Sequence, residues 1–263
     1  MNPSPKVSIL TATHNALPGL KKTVASVASQ TTTDYEHIVI DGGSTDGTRE
    51  WLEEIDGGLI WISEPDKGIA DALNKGLDLA QGEWILVLHA EDGFFEVDSL
   101  EIAMSSLDTD SDIVSHDVLF TTESGSRLIT SRGFSWFTNF KTTIPHQGAF
   151  CRRSLFERIG EFDVSYRAGL DYEFFLRGYR SGVMADVAHS ILSEMPNTGI
   201  SSRLDWPSLR ARFDEEREIH QKHCVGIGFS FAYGVYWPLY LSYRRVRYWA
   251  SRFHSASDSL RPG

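Results

Sequence analysis

Three short stretches of this chain set acidic side chains beside glycines and just after apolar runs, an arrangement suited to holding a ligand. The first is Asp41-Gly42-Gly43-Ser44-Thr45-Asp46-Gly47-Thr48, which follows His37-Ile38-Val39-Ile40. A strand there delivers Asp41 to its C-terminal edge. Gly42 and Gly43 let the backbone turn tightly and approach a ligand with no Cβ in the way. Ser44, Thr45 and Asp46 are N-cap residues for a helix with Trp51 and Leu52 on its apolar side. A carboxylate repels phosphate, so Asp41 suits the N–H edge of a base or the hydroxyls of a sugar. The second stretch is His89-Ala90-Glu91-Asp92, opening from Trp84-Ile85-Leu86-Val87-Leu88. Adjacent acids at a strand edge are costly unless something positive joins them. Mg2+ or Mn2+ shared with a diphosphate would do so, since both take carboxylate and phosphate oxygens. A solvated acidic turn is the plainer alternative. The third is Asp66-Lys67-Gly68, where Lys67 and a helix N-terminus would face phosphate or nucleoside. Lys67 as a simple surface lysine fits equally well, and Asn74 further along suits a core bridge.

The elements needed to position these residues are legible in the periodicity. Val7 to Thr11 reads as a first strand ending in Ala12-Thr13-His14-Asn15. Leu20, Val24 and Val27 follow at helical spacing. Then come the strand before Asp41, a helix near Thr48–Glu54, a strand Leu59–Ile62 and a helix Gly68–Ala80. Trp84–Leu88 is continuously apolar, as a central strand buried on both faces should be. Strands alternating with helices predict an α/β fold with a largely parallel sheet, and in such sheets ligands bind outside the carboxyl ends of the strands. Beyond about Asp112 the pattern loosens. Ile113–Phe120 and Arg127–Thr130 suit a hairpin about Glu123-Ser124-Gly125, and Arg153–Ile159 and Asp171–Arg180 suit short helices. The expected organisation is a domain over residues 1–203, its pattern changing near 110, then a helical extension over 204–263.

Bulk properties exclude several classes. A net charge of −11 argues against a nucleic-acid partner, which needs a basic face. Cys151 and Cys224 form no CxxC pair, as expected of a reduced cytoplasmic protein. Val7–Thr13 is too short and too β-like for a signal peptide. Gly226-Ile227-Gly228 lacks the later glycine of a dinucleotide fingerprint, and no P-loop pattern occurs. His220, His223 and Cys224 lack the second cluster a zinc site would need.

Taken in order over residues 6 to about 180, these motifs resemble family 2 of the inverting glycosyltransferases, whose fold is called GT-A. The resemblance implies a Rossmann-like, mostly parallel sheet with flanking helices, and it implies roles. Thr11, Thr13, Asn15, Asp41, Gly43, Asp66, Lys67 and Glu91 would bind a nucleotide-sugar donor, the strand-end residues partly through backbone atoms. UDP-sugar is the default, because an acid ending the second strand suits uracil. Glu91 and Asp92 would hold Mg2+ or Mn2+. Here His89 stands where the family's DxD-type motif begins, Glu91 takes the third position, and only Asp92 is unchanged. The segment Ile159-Gly160-Glu161-Phe162-Asp163 through Arg177 is similar to the one that carries the catalytic base. Asp171 is the matching position, with Leu170 replacing the usual preceding acid. The plain alternative is that Asp171 caps its helix. His146 and Gln147, in His146-Gln147-Gly148-Ala149-Phe150, would line the acceptor or diphosphate side. Relatives with Glu-Pro-Asp-x-Gly-Ile and an aromatic tail work in bacterial exopolysaccharide, colanic-acid-type or O-antigen assembly, which implies a saccharide or lipid-linked saccharide acceptor.

Two other classes stay open: a scaffold that kept the fold but lost catalysis, and a nucleotidyltransferase. The second wants a basic loop after the first strand, and Thr11-Ala12-Thr13-His14-Asn15 has no Arg or Lys. The tail is a separate physical object. No acid lies between Glu218 and Asp258, a stretch that holds Lys222, Arg244, Arg245, Arg247 and Arg252 among many aromatics. Its composition suits a segment lying on the inner face of the plasma membrane, a core or dimer helix, or a spanning helix.

Overall fold

The computed structural model describes residues 4–55, 57–197 and 205–258. The expected domain boundary at 203/204 lies outside them. Two compact units result, residues 1–200 and 201–263.

Among the described residues, the first unit holds a nine-stranded sheet. Strand β1 (Val7–Thr13) pairs in parallel with β2 (Tyr35–Asp41) on one side and β4 (Trp84–Val87) on the other, and β3 (Leu59–Ser63) extends the run beyond β2. These four are the parallel half that the alternation predicts. Helices α1 (Leu17–Ala28), α2 (Thr48–Glu54) and α3 (Ile69–Leu79) connect or follow them. All seven residues of β1 are buried, as a central strand requires. Ile9, Trp84, Leu86, Leu88 and Phe150 lie in one core cluster.

Beyond β4 the sheet becomes mixed. A two-residue strand β5 (Gly93–Phe94) and helix α4 (Ser99–Met104) lead to the hairpin of β6 (Ile113–Thr122) and β7 (Gly125–Ile129). Strand β8 (Ala149–Arg152) lies antiparallel between β4 and β6. Helices α5 (Arg153–Ile159) and α6 (Leu170–Arg180) follow, and β9 (Ala185–Pro196) runs parallel to β6 with a register shift at Asp117. Sequence periodicity shows neither β8 nor β9. The first is only four residues long, and the second alternates irregularly between partly buried and exposed positions. Asn74 of α3 ties the two halves together. Its Nδ2 donates to the Phe162 carbonyl (2.9 Å) and its Oδ1 accepts from the Phe162 N–H (3.1 Å).

The second unit is a helix pair. Asp205 caps α7 (Trp206–Lys222) by accepting from the Ser208 N–H. Helix α8 (Gly226–Asp258) carries Pro238 in its interior. His220 stacks on Tyr233 at 4.3 Å and accepts from Trp237 Nε1 at 3.0 Å, an aromatic packing role. No helix among the described residues is long and apolar enough to cross a membrane, which corrects the spanning alternative for the tail.

Two histidines are buried in the sheet of the first unit. His37 Nε2 meets Thr11 Oγ1 at 2.9 Å, and His116 sits between Ser190 and Ser106. Burial lowers His37 to about 3 and His116 to about 4. Unfolding returns each towards about 6.5, so the unfolded chain takes up protons first as pH falls. The stability these groups preserve is complete above about pH 6.5 and is lost on the way down to pH 4. His116 alone accounts for about 3 kcal/mol. Asp92, pushed up to about 6, works in the opposite direction, but the two histidines outweigh it. A urea midpoint that falls steadily between pH 6.5 and 4 is expected, and a flat profile would contradict the burial account.

Candidate active site

In a parallel sheet the C-terminal ends of the strands share one edge, which brings Thr13, Asp41, Ser63 and the segment after Val87 together. Because β8 runs antiparallel to β4, its N-terminal side adds His146 and Gln147 to the same edge.

Asp41 is fully buried. Its Oδ2 accepts from the Ser63 hydroxyl (2.6 Å) and the Ser44 N–H (3.1 Å), and its Oδ1 accepts from the Ser44 hydroxyl. The carboxylate therefore sets the shape of the loop after β2. That loop is latched to the one after β1. Asn15 donates its N–H to Ser44 Oγ (2.7 Å), and its Oδ1 accepts from Thr45 N–H (2.8 Å). Asp46 accepts from the Leu17 N–H at the start of α1 (2.9 Å) and from Thr48, and these bonds hold it below its ordinary range. The N-cap of α2 is Gly47 in a left-handed conformation, so Ser44, Thr45 and Asp46 act as loop latches where a capping role had been expected. Gly42 is the other close approach: a Cβ there would collide with Asp66 Oδ2. Asp66 turns its other oxygen to the Gly68 N–H (2.8 Å) at the start of α3. Gly43 takes a positive φ of 76°. Lys67 is exposed, its N–H donating to Asp71. Lys75, which nothing in its local sequence marks, forms the ion pair with Glu64 that fastens this loop.

Thr11 and Thr13 differ although both lie on β1. Thr11 turns to His37 in the core, so its side chain is not offered to a ligand. Thr13 Oγ1 is buried beside Asp41 and has no hydrogen-bond partner.

The turn after β4 is strained. Glu91 has φ of 87°, a left-handed conformation uncommon for a residue with a side chain. Its side chain lies so close over α1 that a Cβ on Gly19 would collide with Glu91 Cγ. Thr23 of α1 pins the turn: its Oγ1 accepts from Glu91 N–H (2.9 Å) and lies 2.7 Å from the Asp92 carbonyl. Nothing in the sequence sets Thr23 apart from its helix, since both contacts are long-range.

Asp92 is buried, and its Oδ2 accepts from the His89 N–H at 3.0 Å. Burial raises it to about 6, opposed by the His146 charge and by hydrogen bonds from His89 and Gln147. The His89 ring meets the His146 ring edge-on at 5.1 Å, and burial lowers His89 to about 3. His146 Nδ1 lies 3.3 Å from Asp171 Oδ2, while its Nε2 is buried with no hydrogen-bond partner. Burial would lower His146, but Asp171 and then Asp92 hold it above its ordinary value. Burial would raise Asp171, but His146 and the N–H groups of the first helical turn hold it below the usual carboxylate range. Asp171 sits in that first turn and Gly169 is the N-cap, so the capping alternative for Asp171 is corrected.

No three His, Cys, Asp or Glu side chains among the described residues converge into a metal cage. Asp92 nonetheless fits a shared site. It is a desolvated carboxylate at a strand edge, and a cation completed by diphosphate oxygens would relieve its burial. Glu91 adds a second acid on the same turn.

Residues 8–169 match the family model described as Glycosyl transferase family 2. A PGL/p-HBAD biosynthesis glycosyltransferase of Mycobacterium bovis is 35% identical over 187 residues, covering 66% of this chain and 70% of the relative. The mannosyltransferase PcManGT of Pyrobaculum calidifontis, solved with GDP-Man and Mn2+, superposes with a TM-score of 0.67 at 19% identity, covering 100% of this chain and 77% of that one. S. aureus TarS 1–349 with UDP-GlcNAc gives a TM-score of 0.61 at 17% identity, covering 82% and 70%. These three are mycobacterial, archaeal and staphylococcal proteins, so the likeness is to the family and not to colanic-acid-type enzymes in particular. With a sheet edge carrying the matched motifs and a GT-A-like α/β fold around it, the chain belongs to glycosyl transferase family 2 and is a nucleotide-sugar-dependent glycosyltransferase.

Proposed function

We propose that the chain is an inverting transferase that moves a sugar from a UDP-sugar to an acceptor hydroxyl, with Asp171 as the catalytic base. The observation that carries the reading is the contact of Asp171 with His146 on the same sheet edge as Asp92. Asp171 is held ionised, and a base must be unprotonated before the reaction begins. The acceptor oxygen bonds to the anomeric carbon as its proton passes to Asp171. The bond from that carbon to the diphosphate oxygen breaks on the opposite face, so one displacement inverts the centre. Thr13, Asn15, Asp41, Gly43, Asp66 and Lys67 frame the nucleoside end, with Asp41 acting largely through the loop it shapes. Thr11 supports them from the core through its contact with His37. Asp92 and Glu91 would hold Mg2+ or Mn2+, which when bound offsets charge building on the leaving diphosphate. His146 and Gln147 stand on the diphosphate or acceptor side.

The acceptor we favour is a lipid-linked saccharide in bacterial surface polysaccharide synthesis, supported by the uncharged aromatic run from Val225 to Tyr243 and the arginines after it. The donor is tested by thermal shifts over UDP-, GDP- and dTDP-sugars with and without Mn2+, since a ligand of the native state stabilises it. UDP-sugars should raise the melting temperature most, and more so with Mn2+. Stabilisation by a GDP- or dTDP-sugar alone would overturn the donor assignment.

A further inference from the structure

Helix α8 has two faces. Tyr233 and Trp237 are 5% and 4% exposed, with Tyr240 against Phe213 of α7 on the same side. The opposite face is apolar and open: Ile227 is 90% exposed, Phe231 74%, Leu239 66%, Val246 68% and Trp249 51%. Their positions repeat every three, four or seven to eight residues, which keeps them in one stripe along the helix. Between Ile227 and Trp249 the stripe runs for about 33 Å at 1.5 Å per residue. Exposed apolar surface of this extent marks an interaction site.

The charge says what covers it. Arg245 and Arg247 are exposed beside Val246 and Trp249, and no acid lies between Glu218 and Asp258. Two copies of this face would bring those arginines together with no carboxylate between Ile227 and Trp249 of either helix to pair them. An anionic bilayer supplies both things the face requires, an apolar layer for Phe231 and Leu239 and phosphate headgroups for the arginines. Tyr243 and Trp249 are residue types that settle at that boundary. The helix does not cross the bilayer, because it is neither apolar enough nor free of its α7-facing side.

We propose that the open face of α8 docks the protein flat onto an anionic lipid surface, with the stripe from Ile227 to Trp249 in the headgroup–acyl boundary and Arg245 and Arg247 on phosphates. Flotation of the full chain with vesicles tests this, using phosphatidylcholine alone and phosphatidylcholine mixed with phosphatidylglycerol. The full chain should float with the mixed vesicles and fall at least tenfold with phosphatidylcholine alone or in high salt. The F231E/L239E double variant should stay at the bottom of the gradient. R245E/R247E should bind at least tenfold more weakly. All of these positions are exposed, so both variants should keep the parental melting temperature and the parental rate of UDP release from the donor in vesicle-free buffer. A parent that never floats, or an F231E/L239E variant that floats as well as the parent, overturns the proposal. So does a parent that is a dimer in solution and becomes a monomer in that variant, which would give the face to a second copy. UDP release is read separately, so failed docking and failed transfer chemistry are distinguishable.

Discussion

Asp171→Asn is expected to lower kcat by roughly 10²–10⁴-fold while the donor KM stays within a few-fold of the parent. Asn keeps the shape of the side chain and removes its charge. It keeps the volume of Asp171 and an oxygen for the N–H groups of the first turn of α6. It removes the negative charge that His146 and those N–H groups stabilise. Helix α6 takes its N-cap from Gly169, so the helix does not depend on this side chain for capping. An acid in the first turn contributes up to about 1 kcal/mol through the helix dipole, so the melting temperature should move by only a few degrees. A structural role would give the opposite pattern, with a large stability loss and unchanged turnover in the molecules that remain folded. His146 offers a second readout. Losing the Asp171 charge should bring its titration down, because burial is then opposed by Asp92 alone. Parental kcat in the Asn variant would remove Asp171 from the mechanism.

Asp92→Asn is the second large effect. It should cost about 10²–10³-fold in kcat/KM and abolish the extra thermal stabilisation that Mn2+ gives the donor complex. The same substitution should make the ligand-free protein more stable at neutral pH. A carboxylate pushed up to about 6 by burial weakens the fold progressively as pH rises from about 3.9, where the unfolded chain ionises, to about 6, and the loss is complete above that. From an ordinary value near 3.9, the cost is about 3 kcal/mol at pH 7. Asn removes it and still accepts from the His89 N–H. Higher stability with lost activity is the mark of a group kept for function. If Mn2+ still stabilises the donor complex of the variant, the cation is held elsewhere.

What the sequence shows of this site, and what it hides, divides by distance along the chain. The run before Asp41 and the glycines after it mark a strand and a turn, because strand period and turn chemistry are local. The partners that hold Asp41 are hidden, since Ser63 arrives on another strand and Asn15 on another loop. The strand Trp84–Val87 and the acids after it are legible. Thr23, which pins their turn from 68 and 69 positions away, reads as one more helix residue. His146 and Asp171 are each marked only by resemblance, and their contact joins residues 25 apart across β8 and α5. Thr11 lies near the end of the first strand, but its hydroxyl is taken up by His37, a long-range partner the local sequence does not show, which leaves its backbone to meet a ligand. In the second half of the sheet, β8 depends on pairing with β4 and β6 and β9 on pairing with β6 and β5; a four-residue strand and a twelve-residue one of irregular burial carry little signal of their own.

The central claim is a single displacement in which a carboxylate on α6 takes the acceptor proton. The anomeric configuration of the first product tests it most directly, read by proton NMR on the glycoside formed from an α-linked UDP-sugar. The mechanism predicts a β-linked product from the parent and none from Asp171→Asn. An α-linked product would mean retention, and would contradict a mechanism with one base and no nucleophile.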